Sequence, residues 1–203
     1  WITTGQRAAA ARQLRRSLDV LHPIVAAGTP VVGLEPSCIA VWRGDAASLV
    51  DDPRVAQVAS GVHTLAELLE EAGWRPPDLS GTVVVAQPHC HHSSVIGWAA
   101  DERLLARTGA RVVRVAGCCG LAGNFGVERG HYETSVAVAR THLLPAVEAA
   151  GPEAVLLADG FSCRLQLADL AHRRALTLAE LLLLPSTPTS PAQSGPKPPS
   201  TAV

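Results

Sequence analysis

The sequence predicts an α/β fold on a mostly parallel sheet, Rossmann-like in its winding. Three observations predict it. Short apolar, often β-branched runs alternate with stretches of helical periodicity. Glycine closes most of those helical stretches. All five cysteines fall just after an apolar run rather than scattering through the helices.

The elements follow in order. Residues 7–25 place Leu14, Leu18, Leu21 and Val25 on one helical face, and Gly28 stops them before the Thr29-Pro30 turn. Residues 31–34 (VVGL) read as a short buried strand, with residues 35–38 (EPSC) as the loop after it. Residues 62–72 (VHTLAELLEEA) read as a helix ended by Gly73. Residues 82–86 (TVVVA) are a β-branched strand, followed by a loop over residues 87–92. Residues 98–108 are helical up to Gly109, and residues 111–116 (RVVRVA) are the next strand. That strand leads into residues 117–126, GCCGLAGNFG. Residues 132–150 read as one long helix ended by Gly151. Residues 154–158 (AVLLA) form a last strand leading into residues 159–163, and residues 173–184 a last helix. From Pro185 the chain reads PSTPTSPAQSGPKPPSTAV, which has too little apolar surface to bury and reads as a disordered tail.

An internal repeat runs through this pattern. LHPIVAAGTPVVGLEPSC at residues 21–38 matches LPAVEAAGPEAVLLADGFSC at residues 144–163. Each gives a helix end, an apolar strand and a closing Ser-Cys. Further on, VHTLAELLEE matches ALTLAELLLL. Duplicated α/β units are the expected cause. The second unit is preceded by two further strand-to-cysteine segments that the first lacks. The chain also begins at Trp1 and contains no methionine. Both observations predict a piece of a longer polypeptide. The expected organisation is residues 1–75 as the later part of a first unit truncated on its N-terminal side, residues 76–184 as a complete second unit, and residues 185–203 as tail.

Composition narrows the function. A net charge near −1 gives no electrostatic footprint for nucleic acid. No apolar run reaches the roughly 20 residues of a membrane span, and no secretion signal is present. Disulfides are therefore not the default use of the cysteines.

In α/β sheets, ligands bind outside the carboxyl ends of the strands. Cys90, Cys118, Cys119 and Cys163 come from three such strand ends, with Cys38 at a fourth. Thiolates are soft ligands suited to iron–sulfur clusters or zinc. An adjacent pair reaches one ion poorly, because its side chains splay unless the backbone bends sharply. Gly117, Gly120, Gly123 and Gly126 permit that bend and let N–H groups approach sulfur. No Cys-x-x-Cys spacing supports a redox dithiol. His89, His91 and His92 flank Cys90 and read as polar loop residues before ligands. GLAGNFG joins a strand to a helix but lacks the spacing of a dinucleotide loop, and no Lys-Ser/Thr follows it.

GCCGLAGNFGVERGHYE, with PHCHH before it and ADGFSCR after it, resembles the cysteine-rich CCG domain family. That family includes the heterodisulfide reductase B subunit and the iron–sulfur subunit of glycolate oxidase. The resemblance is closest to the C-terminal region of bacterial FAD-linked oxidase/iron–sulfur fusion proteins, similar to D-lactate and D-2-hydroxyglutarate dehydrogenases. It implies a 4Fe–4S cluster on Cys90, Cys118, Cys119 and Cys163, with Gly120 and Gly123 shaping the loop and Cys38 as an outlying ligand candidate. It implies electron transfer within a 2-hydroxy-acid oxidoreductase, with no catalytic residue in this chain. FAD would sit in an upstream domain, and the partners would be that domain, a ferredoxin-like domain and an electron acceptor. The location implied is cytoplasmic or peripheral to the inner face of the membrane. In the family pattern a cysteine precedes the last one by three positions. Gly160 stands there in this chain, and Glu35 stands there in the first half. A cluster-free docking domain of the same enzyme and a zinc-binding Cys/His domain are the alternatives.

Overall fold

A computed structural model describes residues 1–186, and the part of the expected tail from residue 187 onward lies outside the described residues. Helix α1 (Arg7–Ala26) buries Ala10, Ala11, Leu14 and Leu18. It ends ahead of Gly28, whose φ of +80° suits glycine. Strand β1 (Val31–Gly33) is only half-buried. Next come α2 (Pro36–Ala40), a wide π turn (Val41–Asp45), α3 (Ala46–Leu49) and α4 (Arg54–Gly61). Strand β2 (Val62–Thr64) pairs parallel with β1, and α5 (Leu65–Glu71) follows.

The second half begins with β3 (Val83–Ala86), then a π turn (His92–Ile96) and α6 (Ala99–Arg107). Strand β4 (Arg111–Arg114) leads through the cysteine loop to α7 (Tyr132–Ala139) and α8 (Leu143–Ala150). Strand β5 (Val155–Leu157), α9 (Phe161–Leu170) and α10 (Leu178–Leu181) complete the described chain. Strands β4, β3 and β5 form a parallel sheet in that order. The α/β class and the parallel pairing are as the sequence predicts.

Both faces of this sheet are covered, as strand alternation requires. Val84, Ala86 and Leu157 pack with α5, α6 and α10 through Ala66, Leu104, Leu105 and Leu181. Val85 and Leu156 pack on the opposite side with Leu143, Val147 and Leu167. Cys119 and Cys163 belong to that second cluster. A third cluster joins α1 to α4 through Leu14, Leu18, Ile39, Val55 and Val58. Among the described residues, no helix is long and apolar enough to cross a membrane.

Several expected elements differ, each for a local reason. The helix expected over residues 62–72 begins only at Leu65, because residues 62–64 are a strand. The helix expected over residues 173–184 shrinks to α10, because Leu176 bridges in parallel to Leu157. Thr64 and Thr177 explain both start points. Each closes a capping box with the Glu three residues on, Glu67 or Glu180. The repeat is thus visible in the structure as a parallel strand residue, a Thr cap and a Leu-Ala-Glu helix, twice. The long helix expected over residues 132–150 is split at residues 140–142. Pro145 lies in the first turn of α8, where it lacks the N–H that would reach back to Thr141. The loops expected at residues 35–38 and 159–163 are helix starts. Cys38 sits in α2, where Pro36 occupies the first helical position, and Cys163 sits in α9.

The caps make two predictions. Thr177→Ala is expected to cost about 1 kcal/mol, read as a lower urea midpoint with an unchanged slope. Glu67 is also held by Arg43, whose guanidinium donates to both carboxylate oxygens at 2.9 and 2.6 Å. Burial pushes the Glu67 carboxyl up. The bonds from Arg43 and the Thr64 N–H outweigh burial, so its pKa lies below the ordinary 4.5. A carboxyl depressed in the folded state adds stability above its unfolded pKa. That stability is lost as pH falls through the folded value. Glu67→Gln is therefore expected to flatten the acid side of the stability-against-pH curve, measured by urea unfolding from neutral pH downward.

Candidate functional site

The C-terminal ends of β3, β4 and β5 converge on one cavity of about 560 Å³. Its lining includes Cys90, Cys118, Cys119 and Cys163, together with His89 and Glu35. Chain geometry brings these thiols together. Cys90 opens the helical turn after β3. Cys118 and Cys119 follow β4. Cys163 sits in the first turn of α9 after β5. Gln87, buried at the end of β3, ties the loops by donating from Nε2 to the Gly117 carbonyl at 2.9 Å and the Pro88 carbonyl at 3.1 Å.

The sulfurs form a connected set. Cys90 Sγ donates to Cys118 Sγ at 3.4 Å, and Cys119 and Cys163 line the same cavity and pack in one buried cluster. The neighbouring Cys119 and Cys90 thiols hold the Cys118 pKa far below the ordinary 9.0. Those two thiols shift the other way. Cys118, Cys163 and burial push Cys119 up, while the bond to Cys118 and burial push Cys90 up. Cys119 and Cys163 are buried, while Cys90 reaches the surface.

Glycine makes this packing possible. Gly120 has φ +93°, and its N–H donates to Cys118 Sγ at 3.3 Å. A Cβ there would meet the Ser135 carbonyl oxygen at 2.2 Å, so the loop lies flat on α7. Gly123 has φ +72° and open space around it. The loop takes a further left-handed step at Ala122, φ +45°, which the sequence does not signal.

Cys38 is exposed and lies outside this cavity. Its neighbours Glu35 and Ser37 line the cavity instead. Glu35 Oε2 accepts from the Phe161 N–H at 2.8 Å, and its Oε1 accepts from Ser37 Oγ at 2.9 Å. The acidic side chain that stands at a cysteine position of the family pattern thus caps α9, the helix that carries Cys163. At the matching position in the second half, a Cβ on Gly160 would meet His89 Cδ2 at 2.4 Å. The His89 ring fills that space, and burial pushes its pKa down. His91 also lines the cavity, whereas His92 turns inward and is 2% exposed. His92 meets Asp101, on α6, and Asp159, after β5. Asp101 was not singled out in the sequence. Its helix reads as an ordinary amphipathic one with acidic residues in its first turn.

The chain is 27% identical over 160 residues to the D-2-hydroxyglutarate dehydrogenase of Pantoea ananatis, 77% of this chain and 15% of that enzyme. It is 29% identical over 164 residues to the D-2-hydroxyglutarate dehydrogenase of Escherichia coli, again 77% and 15%. The match to the enzyme of that name in Pseudomonas putida is 27% over 185 residues, 88% of this chain and 17% of the enzyme. The chain therefore spans about a sixth of the length of these relatives. No family model matches it, and no solved structure does.

Proposed function

We propose that this chain is the iron–sulfur electron-transfer part of a larger FAD-dependent 2-hydroxy-acid oxidoreductase, organised as CCG units over residues 1–75 and 76–184. The observation that carries this reading is the linked set of Cys90, Cys118, Cys119 and Cys163 around one cavity at the strand ends. The donor set fits the cofactor. Soft thiolates from separated loops are the ligands of a 4Fe–4S cluster. When bound, the cluster would supply a one-electron relay.

The chain's own residues would do the rest. The four cysteines would hold the cluster. The Gly120 N–H would stay directed at Cys118 Sγ, and such bonds tune cluster potential. The apolar packing around Cys119 and Cys163 would keep water from that side. FAD and the hydroxy acid would bind elsewhere in the longer protein, with a ferredoxin-like domain and an electron acceptor as partners, in or facing the cytoplasm.

One observation favours a second reading, a single zinc on the same thiols. Ligands at about 2.3 Å around a tetrahedral zinc lie roughly 3.8 Å apart. The 3.4 Å Cys90–Cys118 contact is close to that spacing. Metal analysis of anaerobically purified and reconstituted protein separates the two. The expected result is about four iron and four sulfide per chain, with broad visible absorption and an EPR signal on reduction. Colourless protein without iron overturns the cluster, and one zinc lost with Cys118→Ser establishes the alternative.

A further inference from the structure

We propose that His92, Asp101 and Asp159 form a second metal site, for one divalent transition cation of the zinc or manganese class, separate from the cysteine cavity. One ligand atom from each lies within 4.8 Å of the other two. Ligands at about 2.0–2.2 Å from one ion stand at most roughly 4.4 Å apart, so a small inward movement closes the set. His92 and Asp101 are each 2% exposed. His92 Nε2 and Asp101 Oδ2 lie 3.1 Å apart, an ion-pair distance for a protonated His92, but outside hydrogen-bond alignment, and neither buried atom has a hydrogen-bond partner. Two buried polar atoms that face each other in this way are accounted for by a charged imidazole or by an ion held between them.

The rest of the cluster agrees. Asp159 Oδ1 accepts from the Leu178 N–H at 2.7 Å, which fixes the carboxylate and leaves its other oxygen free. Gln87 turns both its donor bonds toward carbonyls and leaves Oε1 buried and unpaired on a neighbouring cavity lined by His92 and Asp159. Two carboxylates and a neutral imidazole balance a divalent cation, and mixed nitrogen and oxygen donors suit the borderline metals. The position is also one that an ion could brace. The cavity beside the cluster is lined from the first half by Pro36, Ile39 and Thr64, and from the second by Asp159 and Leu178. The ion would tie the strand ends of β3 and β5 to α6 where they meet the first half.

Cobalt(II) is the probe, titrated into metal-free chain. The expected signature is a weak visible d–d component distinct from any sulfur-to-cobalt charge-transfer band of the thiol set. Cys118→Ser should leave that component unchanged. Asp101→Asn and His92→Gln should each weaken it by at least about tenfold while iron loading in a parallel anaerobic reconstitution is retained. If either variant fails to fold, the component that persists in Cys118→Ser carries the reading alone. Absence of such a spectrum, or one removed only by Cys118→Ser, overturns the second site. The cluster proposal fails separately, through lack of iron, so the two failures are distinguishable.

Discussion

Replacing Cys119 with serine is expected to bring iron and sulfide in anaerobically reconstituted protein down to background. Cys119 lines the thiol cavity and packs in the same buried cluster as Cys163. It is also 2% exposed, so no outside group can take its place. A serine hydroxyl is a hard, weakly acidic donor, where iron–sulfur and zinc sites are held by thiolates. Cys38→Ser is the matched control. That thiol is exposed and outside the cavity, so its loss should leave iron content and EPR signal at the wild-type level. Far-UV circular dichroism on both variants separates ligand loss from unfolding. Full iron in Cys119→Ser would remove this residue from the site, and iron loss in Cys38→Ser would enlarge the site.

Gly120→Ala is expected to cost about 3 kcal/mol or more of stability. Two penalties coincide. Its φ of +93° is strained for any L side chain. The added Cβ would also sit 2.2 Å from the Ser135 carbonyl oxygen, a backbone atom of α7 that cannot rotate away. Gly123→Ala tests the first penalty alone. Its φ is +72° with nothing near the new methyl, and a loss of about 1 kcal/mol is expected. Urea unfolding of the two variants side by side measures the difference. Equal losses would mean that the loop does not rest on α7.

How much of this could be read beforehand depends on whether the signal is local. The strands around residues 31, 83, 111 and 155 are legible because a run such as VVV has few other uses in a chain of this polarity. The gathering of Cys90, Cys118, Cys119 and Cys163 at one edge follows from their place after parallel strands, so the thiol set is legible in the sequence. The strand at Val62 was hidden by a helix-like pattern, although the Thr-Leu-Ala-Glu that starts α5 is itself a boundary signal. Pro145 likewise marks the break between α7 and α8, yet the apolar periodicity runs straight across it. Contacts between distant residues had no such signal. Glu35 reaches Phe161 across 126 positions, and His92 meets Asp101 and Asp159 only through the turn after β3. Such pairings depend on how the halves pack, and one sequence does not encode that in any short pattern.

The Glu35–Phe161 bond has a kinetic consequence. Long loops close late, because the entropy of bringing their ends together is lost before the contact returns anything. The sheet of β3, β4 and β5 can form from shorter separations. The first turn of α9, and with it Cys163, gains its Glu35 cap only when residues 126 apart have met. The cysteine-lined edge is therefore expected to be the last region to gain native order during folding. In pulsed hydrogen exchange, the Phe161 amide should become protected after those of β3.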